Sequence, residues 1–228
     1  MGMDKSPLKI VIKYILVIIG IEIVFGVIEG IFDIPDYNLF GFALNILNAV
    51  LIIKIINKVY TDIYKENILN NFNKNIGTIK TALIAILLII ACLFLDYITK
   101  PIMDTIPSPK IFDEIWNEVL NKPSTTMGII IALLSVVIVA PLLEEIVFRG
   151  FIYKTLRSKY SIWLSILISY ILFYLFHVDP RMIFILLVTT IVLCLSYEYS
   201  KSLVLPFLIH SGFNFGSLIL FWYLWGAS

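Results

Sequence analysis

The sequence predicts an all-α membrane protein, a polytopic bundle of about seven transmembrane helices, and three observations predict it. Hydrophobic residues make up 60% of its 228 residues and charged ones 14%, more apolar surface than a soluble domain of this size can bury. Apolar runs long enough to cross a bilayer recur from end to end. The charges between them collect into loops that alternate between basic and non-basic. The net charge of +1 gives no whole-molecule field for nucleic acid, so the expected surroundings are the lipid bilayer and membrane-borne partners.

The first run, Leu8–Phe32, starts beside Lys9 and Lys13. It has no small-residue cleavage site after it and reads as a retained helix rather than a signal peptide. Glu22 and Glu29 lie seven apart on one face of it, suited to a bundle contact or to headgroup proximity, with membership of a proton relay as the other reading. The second run is about Leu39–Ile56 and the third about Thr81–Thr99. Between the third and fourth lie Pro101, Pro107, Pro109 and Pro123. Within that stretch Ile111, Phe112, Ile115, Trp116, Val119 and Leu120 recur at helical spacing, predicting a short interfacial helix anchored by Trp116. The fourth run starts at Thr126 behind a Ser124/Thr125 cap and carries Pro141-Leu142-Leu143-Glu144-Glu145-Ile146-Val147-Phe148-Arg149-Gly150. The fifth is about Ser161–His177, the sixth about Met182–Tyr197 and the seventh about Leu205–Trp225. Trp222 and Trp225 fit an interfacial belt. Cys92 and Cys194 each sit inside an apolar run and read as packing residues. Lysines before the first run, between the second and third, and Lys154, Arg157 and Lys159 after the fourth place the N-terminus in the cytoplasm and the C-terminus outside, in a multi-pass protein of the cell membrane.

Two adjacent acids and an arginine within a hydrocarbon-length segment point to function, since an ionised side chain at the bilayer centre costs at least ~2.5–3.5 kcal/mol. Glu145 and Arg149 are four apart and share a helix face, so they can pair. Glu144 is rotated by ~100° from Glu145, so it is free to face a cavity, where a carboxylate suits a general base. Pro141 removes a helix hydrogen bond and predicts a kink. Gly150 and Gly212 allow close helix approach. The chain's two histidines, His177 and His210, both fall in apolar segments, and imidazole and carboxylate are the groups that move protons or bind zinc. If the fourth run stays helical to about Arg157, Glu144 and His177 lie at similar depth. Straight helices leave His210 ~10–15 Å from that depth, a gap that helix tilt or a break at Pro206 has to close.

Glu144-Glu145-x-x-x-Arg149, then Phe173-x-x-x-His177, then His210-x-x-x-Asn214 resemble the three ordered motifs of the CAAX-protease and bacteriocin-processing (CPBP, Abi) family of intramembrane proteases. The resemblance covers about residues 124–218. It implies a four-helix catalytic core in residues 124–228, preceded in residues 1–123 by three transmembrane helices and the interfacial helix. It also implies an endopeptidase acting on a membrane-associated peptide or protein. Glu144 matches the glutamate that activates water together with the histidine matching His177. His210 and Asn214 match the pair that stabilises the oxyanion, and Glu145 and Arg149 the structural ion pair. Glu144, His177 and His210 would equally serve as ligands of a divalent metal such as zinc with an open position, or act without one. Two other readings of the same residues stand beside the protease. One is a non-catalytic immunity or interaction protein holding a buried polar network. The other is a proton- or ion-coupled transporter, for which the chain lacks inverted repeats.

Overall fold

A computed structural model describes residues 6–32, 38–72, 78–107, 110, 125–177 and 179–224. The predicted interfacial helix around Trp116, and Trp225, lie outside the described residues. Within them the fold is all-α, with seven helices: α1 (Pro7–Phe32), α2 (Leu39–Tyr64), α3 (Thr78–Met103), α4 (Thr126–Arg157), α5 (Ile162–His177), α6 (Ile183–Ser200) and α7 (Val204–Leu224). Short 3-10 turns at Ile68–Phe72 and Pro180–Met182 complete it. Six of the helices are long and apolar enough to cross a membrane, and α5 is a shorter apolar helix. The chain is an integral membrane protein. The expectation of about seven spans thus resolves into six full-length candidates and a 16-residue α5.

The helices start where side chains supply acceptors for first-turn N–H groups. Asn38 Oδ1 accepts from Gly41 N at 2.7 Å ahead of α2, and Thr125 Oγ1 from Gly128 N at 3.0 Å ahead of α4. Lys65 and Lys201 end α2 and α6 in the left-handed region, at φ 60° and 51°. α2 runs two turns past the expected end at Ile56, because a helix leaving the hydrocarbon can continue on polar residues such as Lys58. One buried cluster joins α1 (Val11, Ile15, Ile18), α2 (Ile52, Ile56, Tyr60), α4 (Ile146, Phe151, Leu156), α5 (Phe173) and α6 (Cys194). A smaller one joins α3, α6 and α7 through Ala85, Leu193 and Ile209. Both cysteines are buried free thiols.

α3 lies along α7 in parallel, and two glycines set the spacing. A Cβ on Gly212 would sit 2.4 Å from Ile89 Cδ1, and one on Gly216 2.6 Å from Leu93 Cδ1. A tight approach at Gly150 fixes where α7 begins. A Cβ there would lie 3.2 Å from Leu203 Cδ1 and 3.3 Å from Ile68 Cδ1. The turn before α7 is therefore tucked into the bundle at the level of Gly150 instead of lying at the end of α4. Asn71 holds it there: its carbonyl accepts from Leu203 N at 3.0 Å and Ser202 Oγ at 2.9 Å, while its side chain donates to Tyr60 Oη at 3.1 Å and Ile68 O at 2.9 Å.

Candidate active site

α4 is one helix of 32 residues with two stretches, Leu134–Val139 and Glu145–Tyr153, wound as π-helix. The expected kink at Pro141 takes this form instead. Ala140 N–H reaches back five residues to Ser135 O, and Pro141 has no N–H to give to either Val136 or Val137. α7 uses the carbonyls of both residues. Asn214 Nδ2 donates to Val136 O at 3.0 Å and Ser211 Oγ to Val137 O at 2.6 Å. A proline on one helix thus creates the docking points of another.

Gly150 and the tucked turn bring His210 to the acids. Leu203 to His210 rises ~10 Å and Gly150 to Glu144 ~9 Å, so the two residues end at one depth. The expected gap is closed by the deep start of α7, and no break at Pro206 is needed. Proline is tolerated there because N–H groups of the first helical turn have no acceptor within the helix.

His210 stands between the two acids. Its Nδ1 is 2.8 Å from Glu145 Oε1, and its Nε2 is 3.5 Å from Glu144 Oε2. A carboxylate oxygen that already accepts from Arg149 can only accept again, so Nδ1 carries the proton. Arg149 Nη1 donates to the same Glu145 oxygen at 2.8 Å, making the predicted i,i+4 pair. Glu145 is 0% and Arg149 1% exposed, whereas the Glu144 side chain is 27% exposed. Arg149 thus offsets one of the two acids, and His210 bridges that ion pair to the other.

Phe173 is the aromatic centre of the site. The Arg149 guanidinium lies over its ring at 4.9 Å, a cation–π contact that adds to the ion pair with Glu145. The His177 ring meets it edge-on at 4.5 Å, the His210 ring at 6.3 Å and the Phe148 ring at 4.7 Å. His177 Nδ1 donates to Phe173 O at 2.9 Å. A carbonyl only accepts, so His177 carries a proton on Nδ1 and turns Nε2 away from that bond. Phe173 stood in the motif, but composition and spacing gave its ring no task; Ser211 carried no sequence signal at all.

The structure therefore joins Glu144, Glu145, Arg149 and His210 directly, brings His177 to them through the Phe173 ring, and fastens Asn214 to the backbone of α4. Metal sites need three or more converging ligands. Among the described residues no three His, Cys, Asp or Glu side chains converge in that way, and the acid nearest His210 is already occupied by a guanidinium. Glu145 Oε2 is buried without a hydrogen-bond partner among the described residues.

Residues 126–216 match the family model described as type II CAAX prenyl endopeptidase Rce1-like. No curated protein and no solved structure gives a match.

Proposed function

We propose a reaction for a chain that belongs, through residues 126–216, to the CAAX-protease family. The protein is an intramembrane endopeptidase that hydrolyses a peptide bond of a membrane-associated peptide or protein. The observation that carries the reading is His210 set between a sequestered acid, Glu145, and an accessible one, Glu144.

Glu144 is the general base. It is the acid of the pair not neutralised by Arg149, and its side chain is open enough to meet water. It takes a proton from a water molecule whose second hydrogen stays on oxygen and is hydrogen-bonded to Nε2 of His177. The hydroxide attacks the carbonyl carbon. His210, protonated on Nε2 and backed by Glu145 on Nδ1, donates to the oxyanion. Asn214 adds its second amide hydrogen, the first being held by Val136 O. The proton on Glu144 then passes to the leaving amine as the C–N bond breaks. The lysines flanking α1 and those near the ends of α2 and α4 support a cytoplasmic N-terminus in the cell membrane.

The test is cleavage of a peptide library by the protein in vesicles. Glu144→Gln, His177→Ala and His210→Ala should each lower the rate by ~10²-fold or more while inserting and folding as the parent does. An unchanged rate in all three would remove the reading in favour of a non-catalytic polar network.

A further inference from the structure

The fully buried residues of α1 all lie in its first half. Its buried residues are Pro7, Val11, Ile15 and Ile18, and none follows Ile18. Beyond that point Glu22, Gly26 and Gly30 recur every four residues and so share one face. All three are exposed. A Cβ built on Gly26 or Gly30 meets nothing within 4 Å among the described residues, in contrast to Gly212 and Gly216, whose small size is used inside the fold.

Glu22 lies at the middle of the membrane. The apolar part of α1 runs from Tyr14, next to Lys13, to Phe32, and its centre is Ile23. The Tyr14 ring contacts Phe151 at 6.0 Å. Eight residues further along α1, and eight back along the antiparallel α4, bring Glu22 level with Leu143, beside the catalytic acids. At this depth Glu22 Oε2 accepts from Asn48 Nδ2 of α2 at 3.0 Å. Asn48 is 7% exposed, and its Oδ1 has no hydrogen-bond partner. The exposed Glu22 carboxylate thus meets a neutral amide at this depth, beside a small-residue groove, and no cation is paired with it among the described residues.

We propose that the outer half of α1, centred on Glu22 and Asn48, is a docking surface for a transmembrane helix of another protein that presents a lysine or arginine at mid-membrane depth. The glycines let the partner's backbone approach closely, and the basic side chain supplies the donor and the charge that the pair lacks. A second copy of this chain fits less well. A two-fold axis along the membrane normal sets Glu22 against Glu22, acceptor to acceptor. The nearest basic residues on α1 and α2, Lys13 and Lys54, lie ~13 and ~9 Å deeper along their helices.

Energy transfer in phosphatidylcholine vesicles tests this, between the full chain labelled at its N-terminus and synthetic leucine–alanine helices carrying Lys, Leu or Glu at the centre. The Lys helix should associate about tenfold more tightly than the Leu helix, and the Glu helix no better than Leu. Glu22→Leu should erase the Lys advantage and Glu22→Gln reduce it. Gly26→Leu, which meets no described neighbour, should weaken association while leaving the fold intact. Equal binding of Lys and Leu helices, a Lys advantage that survives Glu22→Leu, or full binding by Gly26→Leu overturns the proposal. So does transfer between two copies of the chain that Glu22→Leu abolishes while the Lys helix fails to compete.

Discussion

Replacing Arg149 with methionine separates the electrostatic role of this side chain from its bulk. Methionine keeps most of the stem volume and removes the guanidinium. Glu145, 0% exposed, then loses its 2.8 Å partner and keeps only the His210 Nδ1 proton. Breaking a buried ion pair by removing one member costs ~3–5 kcal/mol, and the lost contact with the Phe173 ring falls within the same figure because both act on one group. Removing both charges is different. Glu145→Leu with Arg149→Met leaves no stranded ion, and the remaining penalty is the orphaned His210 N–H, ~1–3 kcal/mol. The double variant should therefore be more stable than the single one, although it carries more changes. Reversible unfolding in mixed micelles, followed by helical circular dichroism, measures both. Cleavage should be lost in each, since His210 no longer has its orienting acid. Equal destabilisation of the single and double variants, or a silent Arg149→Met, would refute the buried pair as the source of the energy.

Three further outcomes follow from the packing. Gly150→Val pushes Leu203 and Ile68 outward and should cost ~1–3 kcal/mol in unfolding measurements; by shifting the start of α7 it should also lower the cleavage rate, where a purely local effect would leave that rate unchanged. Gly212→Ala and Gly216→Ala place a methyl 2.4 and 2.6 Å from Ile89 and Leu93 and should each destabilise by ~1–3 kcal/mol, with Ile89→Ala partly rescuing the first in a double-variant unfolding experiment. Ser211→Ala should cost ~1 kcal/mol through the lost bond to Val137 O. In a Pro141→Ala background, where the backbone regains an N–H to compete for that carbonyl, the same change should cost less.

The helices were legible because length and apolarity are properties of consecutive residues. So was the Glu145–Arg149 pair, since both members ride on one helix four residues apart, and so were the close approaches at Gly150 and Gly212. The depth of His210 was not legible. It depends on Gly150, Leu203, Ile68 and Asn71 meeting across three chain segments, and reckoning from the Lys201 turn places it at the wrong height. The same hidden contact changes the reading of Glu144. Matching heights along α4 and α5 set it opposite His177, while the ionic contact it makes is with His210. Nor could the sequence show that the bonds lost at Pro141 would be rewound into π-turns and handed to Ser211 and Asn214. A missing donor is visible in the residue type, but its beneficiary on another helix is not.

The placement of Arg149 four residues after Glu145 also bears on how the protein is made. A pair formed within one helix exists as soon as that helix does, before any neighbour has been synthesised. α4 can therefore enter the bilayer with its most costly charge already compensated by its own side chain, while α7, arriving last, brings only a neutral imidazole and an amide. Had the arginine been placed on α7, α4 would have had to wait in the membrane with two uncompensated carboxylates, Glu144 and Glu145, instead of one. The order of the chain thus leaves only Glu144 to be met by a partner from α7.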